Sequence, residues 1–153
     1  SITQDGNYEL SATDFSKRYK MKELVLIEKF DSNKTYSIIY KNGSSRDYFV
    51  KRFKIETSTV DRKFSLTQDI PQSKIVAVTS REMCLLKFNY FTKKGDKRAR
   101  EIDIDSFVNI KNWKAIGNKL IGYSRLSSFK VLRTDIEKSN DENNSKNIEL
   151  TLF

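Results

Sequence analysis

The side chains best able to do chemistry in this chain are cations gathered around turns. Lys93, Lys94, Lys97, Arg98 and Arg100 surround the tetrad Lys93-Lys94-Gly95-Asp96, and Asp96 and Glu101 are the only carboxylates beside them. Cations at that density suit phosphate oxygens, whose charge they neutralise while releasing counterions. Lys51, Arg52 and Lys54 form a second basic stretch, interleaved with Val50, Phe53 and Ile55. In a strand Arg52 and Lys54 share one face, which favours a groove or an edge. Lys111, Lys114 and Lys119 make a looser third group. For each group the competing reading is a solvated surface that only aids solubility.

The charge is unevenly spread. Residues 87–133 carry twelve basic and four acidic side chains, a net of +8, whereas residues 134–153 carry a net of −3, within a total of +9. A concentrated positive segment points to a polyanionic partner, nucleic acid first.

Other chemistries find little support. The chain has no histidine, so Ser-His and zinc-His sites are excluded. Glu101, Asp103 and Asp105 are spaced by two, which in a strand would line them on one face. Such a ladder could hold a cation or an acid/base pair, but a solvated face paired with nearby Arg and Lys is the plainer expectation. Cys84, flanked by Met83, Leu85 and Leu86, reads as a buried small hydrophobe. A lone cysteine forms no internal disulfide, which fits a cytoplasmic, reducing compartment. No glycine-rich phosphate loop occurs. We therefore expect no catalytic residue, metal site or cofactor in this chain. No apolar run approaches the roughly 20 residues of a membrane helix, and no membrane partner is expected.

The elements that must carry these cations read as strands. Residues 23–30 form an apolar run with a charged end, and residues 36–40 and 48–55 flank Asn42-Gly43, a strong hairpin signal. Residues 85–91 and 98–104 flank the basic tip as a second hairpin, and Asp5-Gly6-Asn7 marks an earlier turn. Shorter strands are expected at 74–78, 119–123 and 129–132, and a helical turn at 14–19. Phe30, Phe49, Phe53, Phe88 and Phe107 lie in or beside apolar runs and are expected in the core. Trp113 is expected to pack between sheets rather than stack on bases. Residues 134–147 read as a flexible polar tail, and 148–153 regain alternation as a last strand. The pattern is all-β, with a crude period of about 40 residues, near the length of a propeller blade.

Four segments carry a resemblance to a known family. They are Thr3-Gln4-Asp5-Gly6-Asn7-Tyr8, the run 24–30, Tyr48-Phe49-Val50-Lys51-Arg52-Phe53, and Glu101-Ile102-Asp103-Ile104-Asp105-Ser106-Phe107-Val108. Lys114-Ala115-Ile116-Gly117-Asn118-Lys119-Leu120 adds a blade ending of the form KA-x-G-x-x-L. In order and spacing, across most of residues 2–133, these resemble the C-terminal domain of the A subunit of bacterial type IIA topoisomerases, DNA gyrase and topoisomerase IV, in a Bacteroides-like variant.

The resemblance implies a β-pinwheel, a propeller-like disc of four-stranded blades in which neighbouring blades exchange a strand. It implies about three blades in residues 1–133, the last half of such a disc. It also implies that the domain wraps bent double-stranded DNA through its backbone, within a complex of the remaining A subunit and the B subunit. In that complex ATP and Mg²⁺ act through the B subunit, and the cleaving tyrosine lies upstream in another domain. Cytoplasmic, nucleoid-associated residence follows. Arg18-Tyr19 stands in a polar stretch with no other residue of the nucleophile's context.

Two departures stand out. Val108-Asn109-Ile110-Lys111-Asn112-Trp113-Lys114-Ala115 lacks the glycine of the usual VKG-x-KA, and no Gln-Arg-Arg-Gly-Gly-type gyrase box occurs. The alternative reading is a propeller fragment that binds protein, as a homodimer or with another partner, and makes no direct DNA contact.

Overall fold

A computed structural model of the chain describes residues 1–12, 16–122 and 125–133. The strands are β1 (Ile2–Thr3), β2 (Asn7–Glu9), β3 (Leu24–Leu26), β4 (Thr35–Lys41), β5 (Tyr48–Lys54), β6 (Lys63–Ser65), β7 (Lys74–Thr79), β8 (Cys84–Phe91) and β9 (Lys97–Asp103). After one helical turn, α1 (Ile104–Phe107), come β10 (Ile110–Lys111), β11 (Asn118–Ile121) and β12 (Arg125–Arg133).

These form three sheets. Their orders are β3-β1-β2-β6, then β10-β5-β4-β7 with β11 also on β5, then β12-β8-β9. Each sheet is built on a hairpin: β1–β2, β4–β5 and β8–β9. A later strand pairs with the hairpin's first member: β3 on β1, β7 on β4 and β12 on β8. The second member takes a strand that follows the next hairpin. Thus β6, which comes after β4–β5, returns to β2, and β10 and β11, which come after β8–β9, return to β5. The fold is all-β, with no sheet closed into a barrel, and this hand-back of strands is consistent with a β-pinwheel. The sheets hold four, five and three strands among the described residues rather than four each.

Two cores explain the stacking. One joins Tyr8 of the first sheet to Tyr36, Ile38, Tyr40 and Phe53 of the second, with Trp113. The other joins Ile39, Val50 and Val76 of the second sheet to Leu86, Phe88 and Phe129 of the third. The middle sheet is therefore covered on both faces, and β4 is buried at five successive positions. Trp113 packs edge-on against Tyr8 and Phe64, with ring centroids 5.4 and 5.5 Å away.

Both expected hairpins form, but the first turn works differently from the sequence reading. The connection spans residues 42–47, and the residue at positive φ is Arg46, not Gly43. The Asn42 side-chain oxygen accepts from the amides of Ser44 and Ser45. Gly43 is required for space, since a Cβ there would lie 1.8 Å from the Pro71 carbonyl oxygen. The run 23–30 shortens to β3, and Ile27 and Phe30 are 55% and 44% exposed, so Phe30 is a surface residue rather than core. The carboxylate ladder also breaks. Asp103 ends β9 and caps α1 by accepting from the Asp105 amide, which turns Asp105 out of the strand. The expected helical turn at 14–19 falls partly outside the described residues, which show no helix at 17–19. The tail 134–147 and the strand 148–153 lie outside them entirely.

Gly117 gives the blade-ending motif its physical reason. It sits at φ +91, and a Cβ would meet the Val50 carbonyl oxygen at 2.4 Å. Gly117→Ala is expected to cost at least ~2 kcal/mol, from left-handed strain plus the displaced backbone. Urea unfolding followed by circular dichroism measures it. An unchanged midpoint would contradict this packing.

Candidate nucleic-acid interface

The candidate cations divide into surface groups and internal ones. The division follows from which sheets are covered.

Lys93 and Lys94 stand at the tip of β8–β9, and Lys97, Arg98 and Arg100 follow along β9; all five are exposed. The tip is closed by backbone, the Thr92 amide donating to the Asp96 carbonyl at 2.9 Å and the Gly95 amide to the Thr92 carbonyl at 2.9 Å. Arg100 is tethered, with Nη1 donating to the Leu120 carbonyl at 2.7 Å and its guanidinium 5.7 Å from the Phe107 ring centre. That tether brings Arg100 to β11 and so to the neighbour of Lys119. Lys119 is exposed and pairs with Asp47 at 3.1 Å. Lys111, the last residue of β10, and Lys114, on the β10–β11 connection, are both exposed, and the Lys114 ammonium lies 5.3 Å from the Trp113 ring centre. Lys54 ends β5, half-buried, in the strand beside β10.

Lys51 does not belong to this surface. It is 2% exposed. Its ammonium donates to the carbonyls of Leu66, Trp113 (2.8 Å) and Ala115 (3.1 Å), and sits 5.7 and 5.6 Å from the ring centres of Tyr40 and Phe53. It thus ties β5 to the segment after β6 and to the β10–β11 connection. No phosphate can reach it without unfolding that junction, so its expected DNA contact is corrected to an internal role.

Arg52 is likewise drawn inward. Its guanidinium donates to the carbonyls of Asp105 (3.3 Å) and Val108 (3.2 Å) and faces the Asp105 carboxylate at 3.5 Å, with the side chain 12% exposed. The expected open face with Lys54 does not exist at Arg52, because α1 and Val108 close over its guanidinium. Asp105 is used here and in accepting from the Met83 amide, while Glu101 pairs with Lys87 at 3.6 Å. Among the described residues no three acidic or cysteine side chains gather as a metal-binding group.

Burial pushes the Lys51 ammonium down to about 8 from its ordinary 10.5. Desolvation is the cause, and the three carbonyl acceptors act against it. The folded chain then holds this proton less tightly than the unfolded chain. The penalty is full below about pH 8 and lifts as pH rises towards 10.5. Stability of the natural chain relative to Lys51→Met is expected to rise by about 2 kcal/mol across that window. Urea melts at pH 7.5 and 10 measure it, and a falling difference would contradict the assignment.

Sequence reasoning missed two cations. Lys87 and Lys130 face each other across β8 and β12, on the side of the third sheet opposite its core. They border a groove of about 400 Å³ with Asn89, Ala99, Glu101 and Ser128. Alternation along β8 was the available signal, since Leu86 and Phe88 take the core face.

Curated proteins and solved structures show no match to this chain. The family model of the topoisomerase C-terminal domain of Bacteroidota matches residues 1–127, through all three hairpins and into β12. The chain belongs to the topoisomerase C-terminal domain family of Bacteroidota.

Proposed function

We propose that this domain binds double-stranded DNA through its phosphates, as a DNA-wrapping module of the A subunit of a type IIA topoisomerase, gyrase or topoisomerase IV. The observation that carries this is the exposed cluster of Lys93, Lys94, Lys97 and Arg98 around a hairpin tip held by its own backbone, with Arg100 anchored behind it. Lys87 and Lys130 extend the positive surface across the third sheet, and Lys111, Lys114 and Lys119 extend it towards the second. The domain has no catalytic residue or cofactor of its own in this reading. The parent enzyme is an ATP-dependent isomerase, whose ATP and Mg²⁺ act through the B subunit, at the nucleoid in the cytoplasm. Backbone contacts make recognition insensitive to sequence but responsive to DNA bending.

The test is affinity for a long duplex as salt is raised. Five phosphate contacts give a slope of about −4.5 in log K against log salt. A flat dependence overturns the reading. The competing reading, a protein-interaction module without DNA contact, draws on exposed Met21, Ile27 and Phe30 around β3. It calls for a stable dimer or complex, unchanged by duplex, in light scattering.

A further inference from the structure

Among the described residues the exchange of strands leaves one position unfilled. In the first sheet β2 receives β6, and in the second β5 receives β11, each antiparallel to the hairpin strand it joins. In the third sheet β9 holds the same position. Among the described residues it pairs with β8 alone, so its second edge has no strand. An open edge of seven residues is a template for one more strand.

We propose that this edge is filled by the chain's own segment 148–153, Ile-Glu-Leu-Thr-Leu-Phe, as a strand antiparallel to β9. Three features select this occupant. The first is reach. Arg133 ends β12 opposite Cys84, and the next residue, Leu85, pairs with Asp103, so β12 finishes level with the end of β9 and one strand away from it. An antiparallel partner must start at that end. The far edge of β9 lies three strand spacings from β12, about 14 Å, and the fourteen residues 134–147 can span about 45 Å.

The second feature is pattern. Ile148, Leu150 and Leu152 alternate with Glu149 and Thr151, so one face of the strand can join Ile102, which packs partly buried against the core. The third is charge. β9 offers Lys97, Arg98 and Arg100, whereas residues 134–153 are net negative. A second copy pairing β9 with β9 about a central two-fold would set Arg100 against Arg100, which disfavours it. The added strand uses the backbone edge of β9 and leaves its side chains on both faces, so the inference stands independently of DNA binding.

Hydrogen exchange on the full chain tests this, comparing natural protein with Leu150→Pro, which removes one donor and bends the segment. In the natural chain the amides of β9 should exchange about as slowly as those of β5. In the variant they should exchange at least tenfold faster, with β4 and β5 unchanged as an internal reference. A synthetic peptide of residues 146–153 should partly restore protection to the variant. Equal β9 exchange in both proteins overturns the proposal, as does a speed-up shared by β4 and β5. Protection that grows with protein concentration also overturns it, because it would place a second copy on the edge.

Discussion

Lys51→Ala is expected to destabilise the domain by about 3–5 kcal/mol without weakening DNA binding by the molecules that remain folded. Two effects add. Truncation empties a site walled by Tyr40 and Phe53, and it strands the carbonyls of Leu66, Trp113 and Ala115, each left without the donor it now has. Removing a buried charge relieves desolvation and offsets part of the loss. Lys51→Met keeps most of the volume, so it should cost less than alanine and isolate the effect of the carbonyls. Urea midpoints of the three proteins, with duplex affinity measured well below the transition, check this. A loss of affinity without a loss of stability would return Lys51 to the surface and contradict the junction described here.

The second large effect is expected at the β8–β9 tip. Charge reversal of Lys93, Lys94 and Lys97 to glutamate should lower duplex affinity about a thousandfold or more at 0.1 M salt, since each phosphate contact contributes roughly tenfold there. The salt slope should become shallower by about 3. The loss should be uniform across DNA sequences, because no base edge is being read. Reversal of Lys20, Lys22 and Lys29, exposed residues flanking β3 along the chain, changes net charge equally and serves as the control. It should cost less than tenfold. Equal losses from the two triples would mean that overall charge, not this hairpin, attracts DNA.

Much of this fold was legible because its signals are local. The β4–β5 and β8–β9 hairpins announce themselves by alternation and turn residues, and Cys84 and Trp113 by their neighbours. What failed was the step from a strand's faces to solvent. Alternation assigns one face to the core and one to water, and that holds for β8. It fails for β5, where Lys51 turns into the core shared with the first sheet and Arg52 towards α1, because the middle sheet contributes to a core on each face. A lysine with three backbone acceptors leaves no mark in the sequence that separates it from a lysine on phosphate. Asp105 is similar: spacing by two implied a strand ladder, whereas the side chain of Asp103 stops the strand and starts α1. Gly43 was found for the wrong reason, as its need for space comes from Pro71, distant in the chain.

The central claim is that DNA lies against the third sheet and its hairpin. Lysine acetylation with and without a long duplex, read residue by residue by mass spectrometry, tests it most directly. Lys93, Lys94 and Lys97 should be strongly protected and Lys87 and Lys130 partly so, while Lys20, Lys22 and Lys29 stay reactive and Lys51 stays unreactive in both conditions. Protection centred on residues 20–29, or reactivity at the hairpin unchanged by DNA, would contradict it.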